Sequence, residues 1–182
     1  ALLMETILGD GGVLTPPLEF YKEAQLLLKR YGAILILDEI QTGMGRTGKF
    51  WGYEHFDIRP DLFCTAKGLG GRYTALSACI GRPEIIDSLK NCQNAFTLSA
   101  HPASCAIGLQ VIQAIYDEKL LANAQKVGES LKKFFEKNLK NCALFGEVRG
   151  KGLLLGISLQ GDTSMGPHIG KICLKKGVYL GY

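Results

Sequence analysis

Residues 33–37 read Ala-Ile-Leu-Ile-Leu, an unbroken apolar run that stops at Asp38-Glu39. Five residues are too few for a buried helix, and branched aliphatic side chains at both parities suit a strand covered on both faces. Such strands belong to parallel sheets whose faces carry helices. This segment therefore points to an α/β fold, and its flanks agree. Residues 2–7 read as another strand, and residues 9–17 as a loop ending in Pro16-Pro17. Apolar residues at 18, 21, 24, 27, 28 and 31 then give helical spacing, with Gly32 as the stop.

The alternation continues downstream. Residues 62–65 and 76–81 read as short strands, and residues 84–89 as a short helix begun by Pro83. Residues 102–116 form a strongly apolar helical segment, expected to turn Ala103, Ala106, Leu109, Ile112 and Ile115 inward. Residues 120–139 are amphipathic at helical period. After Gly150 and Gly152, residues 153–159 are strand-like, as are residues 177–182. A boundary near residue 118 divides an α/β part, 1–118, from a smaller part, 119–182. Apolar runs at both ends make the chain read as an excerpt from a longer one.

Composition narrows the function classes. A chain of 182 residues with 47% hydrophobic and 21% charged residues buries a core, which excludes disorder. No apolar stretch approaches the roughly 20 residues of a spanning helix. The net charge is +4, but the basic residues are scattered, so no nucleic-acid partner is expected. Lys132, Lys133, Lys137 and Lys140 recur at helical spacing and read as a solvated face. The six cysteines stand singly and the three histidines are dispersed, so zinc-ligand spacing is absent. Cys79 and Cys105 lie in apolar runs and read as buried, reduced thiols. That favours a reducing compartment: the cytoplasm, or the mitochondrion if a leader precedes residue 1. Residues 1–8 lack a basic n-region and carry Glu5, unlike a signal peptide.

One glycine-rich segment, Asp38-Glu-Ile-Gln-Thr-Gly-Met-Gly-Arg-Thr-Gly-Lys49, imitates two phosphate loops. Gly43, Gly45 and Gly48 satisfy G-x-G-x-x-G, and residues 43–49 satisfy most of a P-loop. Context rejects both. Phe50 stands where a P-loop needs Ser or Thr, and Gly52 and Pro60 interrupt any following helix. A different pairing uses more of the chain. Asp38 ends one strand, and 29 residues further on a second strand delivers Lys67 in Thr65-Ala-Lys-Gly-Leu-Gly-Gly71. Strand C-termini of an open α/β sheet converge on a ligand crevice. An acid and a lysine there suit pyridoxal phosphate (PLP): lysine binds the aldehyde as a Schiff base, and the carboxylate pairs with the protonated pyridine nitrogen. The residues alone leave a buried Asp–Lys ion pair as the alternative.

Five ordered blocks carry a resemblance. They are Met4-Glu-Thr-Ile-Leu-Gly-Asp-Gly-Gly-Val13, Leu37-Asp-Glu-Ile-Gln-Thr-Gly-Met-Gly-Arg-Thr-Gly48, Pro60-Asp-Leu-Phe-Cys-Thr-Ala-Lys-Gly-Leu-Gly-Gly71, Phe96-Thr-Leu-Ser-Ala-His-Pro102 and Val148-Arg-Gly-Lys-Gly-Leu153. Together they resemble the class-III aminotransferases, the ornithine and 4-aminobutyrate type of fold-type-I PLP enzymes. The resemblance implies part of a large domain with a three-layer α/β/α, mostly parallel sheet, plus the start of a small α+β C-terminal domain. It implies PLP as cofactor, ping-pong transfer of an amino group to a 2-oxo acid, and a homodimer with no nucleic acid or membrane partner. A racemase of the same family, or a catalytically incomplete chain, is the alternative.

By the same resemblance Lys67 is the Schiff-base lysine and proton shuttle, and Asp38 the pyridinium partner. Gln41 bonds the cofactor's phenolic oxygen, and Thr97 reaches the phosphate in the neighbouring subunit. Glu5 pairs with a switch arginine to gate substrates. Arg46 and Arg149 take interface or supporting roles, and His55, His101 and His168 are read as structural. Thr6 departs from the family's proline after Glu5. Arg72 and Thr74 depart from a small residue and a proline. The family's Gly-Ser/Thr phosphate loop and stacking aromatic ring are expected upstream of residue 1, and its arginine block beyond residue 182.

Overall fold

A computed structural model describes residues 1–91, 97–161 and 164–181. Its centre is a four-stranded sheet of β1 (Leu2–Glu5), β2 (Leu35–Asp38), β3 (Leu62–Thr65) and β4 (Ala78–Gly81), in that order. The first three strands are parallel, and β4 runs antiparallel to β3. Helix α1 (Leu18–Arg30) is the crossover from β1 to β2. Glu19 in its first turn and Lys29 and Arg30 in its last complement the helix dipole.

One face of the sheet is a core and the other is open. Leu35, Leu37 and Phe63 point into a cluster with Ile7, Val13, Tyr21, Phe56 and Ile58. Each fully buried side chain of this size contributes roughly 1.5–3 kcal/mol. Tyr21 stacks on Phe56 at 4.3 Å between ring centroids, and its hydroxyl donates to the Thr6 carbonyl. The register puts Leu3, Glu5, Ile36, Asp38, Leu62, Cys64 and Cys79 on the opposite face. Leu3 there is 67% exposed and Ile36 only half-buried. Among the described residues the sheet is thus covered on one side. The expectation of an α/β unit with a mostly parallel sheet and helices is met.

Beyond β4 come α2 (Pro83–Ser88), α3 (Pro102–Asp117) and α4 (Leu120–Leu139), then the antiparallel hairpin of β5 (Phe145–Lys151) and β6 (Leu154–Leu159), and α5 (Met165–Lys175). The α4 helix packs on α3 and on β5. No described helix is long and apolar enough to cross a membrane.

Several expectations are corrected. The first strand ends at Glu5 rather than residue 7, since Thr6 and Ile7 turn away into buried contacts. Helix α3 buries Ser104, Gly108 and Ile115, while Ala103, Ala106 and Leu109 are exposed. That helix is apolar on most sides, so periodicity could not choose its inner face. Cys79 and Cys105 are exposed, because one sits on the open sheet face and the other on the outer side of α3. Residues 177–181 contain no strand, and residue 182 lies outside the described residues. Phe96 and Cys92 also lie outside them.

Candidate active site

Parallel pairing aligns the ends of the first three strands. Glu5 is registered with Asp38, and Asp38 with Cys64. Two residues past the end of β3, Lys67 opens a single 3-10 turn, Lys67–Gly70. Sequence-predicted Glu5, Asp38 and Lys67 therefore share one edge of the sheet, at the C-terminal ends where open α/β sheets bind ligands. Lys67 holds φ at +41°, a left-handed conformation that is costly for a residue with a side chain.

The two principal charges at this edge are not partnered with each other. Asp38 is half-buried, and its Oδ1 accepts from the Ile40 N–H at 2.9 Å. Its Oδ2 accepts no hydrogen bond among the described residues. Lys67 is exposed, and its ammonium makes no salt bridge among them. The described salt bridges all lie elsewhere, at Arg82 with Asp61 and Glu84, Lys90 with Asp87, and Arg149 with Glu147. The alternative of an Asp38–Lys67 ion pair is therefore absent.

The loop after Asp38 is held by a residue the sequence reading left unassigned. Glu39 is fully buried. Its Oε1 accepts from the Thr6 hydroxyl at 2.5 Å and from Tyr53 N–H at 2.9 Å. Its Oε2 accepts from the Thr42 hydroxyl and from Gly52 N–H, each at 2.7 Å. Burial pushes the Glu39 carboxyl above the ordinary carboxylate range, and the four donors pull it part of the way back. This carboxylate ties the end of β1, the loop after β2 and the turn at Gly52–His55 into one body. Thr42 is also buried, as are Thr47 and Thr65. A buried glutamate gives no signal in sequence, where it reads as one more polar residue after the strand.

Gln41 is half-buried against the Gly9–Asp10 turn, where its Nε2 donates to Asp10 Oδ1 at 3.0 Å. A Cβ on Gly9 would stand 2.4 Å from Gln41 Oε1, so a side chain there would displace the end of Gln41. The Gly9 N–H donates to Glu5 Oε2 at 3.0 Å, which links Glu5 to the same turn. Thr97 lies exposed on the turn that leads into α3. His55 Nε2 sits 3.1 Å from both the carbonyl and the hydroxyl of Thr47. Burial, then Lys151, hold its pKa below the ordinary value.

Comparison with known proteins is decisive about kinship. The model of the class-III aminotransferase family matches residues 1–182. The chain belongs to the class-III aminotransferases. A leucine/methionine racemase of Thermococcus litoralis is 42% identical over 89% of this chain and 36% of its own length. Human mitochondrial alanine–glyoxylate aminotransferase 2 is 41% identical over 87% of this chain and 31% of its own. Among solved structures, a Bacillus anthracis aminotransferase superposes with a TM-score of 0.93 at 32% identity, covering 98% of this chain and 43% of the other. The chain thus spans about a third to two-fifths of the length of its relatives.

Membership in the class-III family gives its departures a meaning, and the structure explains two of them. Thr6, in place of proline, supplies a hydroxyl to Glu39. Thr74, also in place of proline, shares a 2.8 Å hydrogen bond with Ser104 and ties the loop after Lys67 to α3. Arg72 is exposed at φ +64°, and nothing in the structure explains it. The glycine segment that imitates phosphate loops serves packing. Gly48, at φ +87°, lies where a Cβ would be 2.3 Å from Gln125 of α4, whose Nε2 donates to the Gly48 carbonyl. The Arg46 carbonyl accepts from Leu153 N–H at 2.9 Å, so this segment docks the C-terminal hairpin.

Proposed function

We propose that this protein is a PLP-dependent aminotransferase, moving an amino group from an amino acid, ω-amino acid or amine to a 2-oxo acid by a ping-pong route. The observation that carries the reading is the pair of unpartnered charges, Asp38 and Lys67, at adjacent strand ends of a class-III chain. Their chemistry fits the cofactor. Asp38 has a free carboxylate oxygen for a protonated ring nitrogen, and Lys67 has a free amine. When bound, PLP supplies an electron sink for the bond broken at the substrate carbon.

The chain's own residues then divide the work. Asp38 orients the ring by its carboxylate. The Lys67 amine takes up and returns the proton at the substrate carbon that bears nitrogen. Gln41 donates to the phenolic oxygen. The Thr97 hydroxyl donates to a phosphate in the partner subunit of a homodimer. Glu5 pairs with a switch arginine, so that an amino donor and a keto acid are admitted in turn. The domain boundary near residue 118 and a reducing compartment, cytoplasmic or mitochondrial, belong to the same proposal.

A second reading has its own support, since a 42%-identical relative is named a racemase. In that case Lys67 removes the α-proton and a proton returns to the opposite face. Solvent deuterium entering the α-position with no keto acid formed selects this reading. Keto acid formed in step with amine transfer selects the first.

The test is a visible spectrum after adding PLP and desalting, with Lys67→Ala beside the wild type. The expected result is an absorbance band retained by the wild type and lost in the variant. Equal retention by both overturns the assignment of Lys67. No band in either supports the incomplete-chain alternative, which turnover by this chain would overturn.

A further inference from the structure

One face of the sheet carries two thiols that the motif does not use. Cys64 of β3 and Cys79 of β4 are directly opposite each other in the antiparallel register. Antiparallel partners alternate between hydrogen-bonded pairs and non-hydrogen-bonded pairs. The Cys64 carbonyl accepts from Glu39 N–H at 2.8 Å, so it points towards β2. The N–H and C=O of one strand residue point the same way, so neither backbone group of Cys64 faces Cys79. The two cysteines therefore form a non-hydrogen-bonded pair, the kind with Cα atoms about 4.5 Å apart and side chains closest. A disulfide spans Cα separations of about 4.4–6.8 Å.

We infer that Cys64 and Cys79 form a reversible cross-strand disulfide by exchange with a low-molecular-weight disulfide such as oxidised glutathione. The two residues differ in access. Cys79 is exposed and Cys64 half-buried, and both are free. Burial pushes the Cys64 thiol up, with Cys79 and then Asp38 adding to the shift. Cys79 is thus the thiol that meets the reagent, and Cys64 the one that resolves.

The step balances. The Cys79 thiolate attacks one sulfur of the small disulfide. That sulfur–sulfur bond breaks and one small thiolate leaves, taking a proton from water. Cys64 then loses its proton to solvent and attacks the Cys79 sulfur, expelling the second small thiol. Two protein thiols are oxidised, and one small disulfide is reduced to two thiols. The product ties β4, otherwise held by a four-residue ladder, to β3. Because Asp38 is registered with Cys64, the bond forms one strand away from the carboxylate proposed to hold the cofactor. The inference itself stands on register and access, and does not depend on PLP binding.

The experiment uses the 182-residue chain, incubated in glutathione buffers from fully reduced to fully oxidised. Remaining thiols are alkylated in denaturant and the tryptic peptides weighed. The expected product joins the peptide that contains Cys64 to the one that contains Cys79, two hydrogens lighter than their sum. It should be reversed by dithiothreitol, retained in Cys105→Ser and lost in Cys79→Ser. Its formation should raise the thermal midpoint by several degrees. A stable glutathione adduct on Cys79 with Cys64 still alkylated at every ratio would overturn the inference. So would a dominant crosslink through Cys105, Cys142 or Cys173. Cys79 is exposed, so Cys79→Ser leaves the core intact and keeps the comparison readable.

Discussion

Asp38 accepts one described hydrogen bond and keeps an oxygen open at the sheet edge, whereas Glu39, the next residue, accepts four and sees no solvent. The two carboxylates differ by one position in the chain and by the face to which the backbone sends them. One is saturated and acts as a structural anchor for the loop. The other is held in place by that loop with its bonding capacity unspent. A site that must bind a cation needs both kinds, because an open carboxylate is useful only where its neighbours are fixed.

The largest effect should come from removing the anchor. Glu39→Ala leaves the Gly52 and Tyr53 N–H groups buried without acceptors, and should cost about 3–5 kcal/mol in urea unfolding. Asp38→Asn should cost less than about 1 kcal/mol in the same measurement while abolishing retention of PLP. Comparable losses of stability from both would break the contrast.

Next comes the response to pH. Folding raises the Glu39 pKa, so the folded chain favours the protonated form more than the unfolded chain does. Its contribution is therefore complete below the ordinary carboxylate value of 4.5 and is lost as pH rises through the raised value. Unfolding curves across that range should show stability falling with rising pH. Glu39→Gln should flatten that part of the profile, although its amide would set a donor against a backbone N–H and lower stability throughout.

Smaller effects sharpen the comparison. Thr6→Val keeps the shape and deletes one of the four donors, with an expected loss of about 1–3 kcal/mol by denaturant titration. Lys67→Gly relieves the left-handed backbone, and should stabilise the chain by about 0.5 kcal/mol while losing the PLP band. A loss of stability there would mean that the Lys67 side chain supports the fold.

Much of this was legible in the residues. The 62–65 strand and the 120–139 helix were read at their observed bounds, because aliphatic runs and period are local signals. The strand-end placement of Asp38 and Lys67 followed from the same runs. Other features depend on partners remote in sequence. Strand β5 reads Phe-Gly-Glu-Val-Arg-Gly-Lys, with two glycines and no clean alternation, and exists by pairing with β6. Helix α5 contains Gly166, Pro167 and Gly170, which conceal its period. The burial of Glu39 needed donors from residues 6, 42, 52 and 53, which no window of sequence brings together.

The strand order of the sheet, β1-β2-β3-β4, is also the order of the chain. During synthesis, at about 5–20 residues per second, each strand can therefore dock on the one made just before it. Glu5, Asp38 and Lys67 are all in hand before α3 leaves the ribosome. Only the seat for the C-terminal hairpin, at Arg46 and Gly48, must wait for residues still to be made. Within this stretch, the strand ends that carry Glu5, Asp38 and Lys67 are thus made before the segment that braces the loop after Asp38.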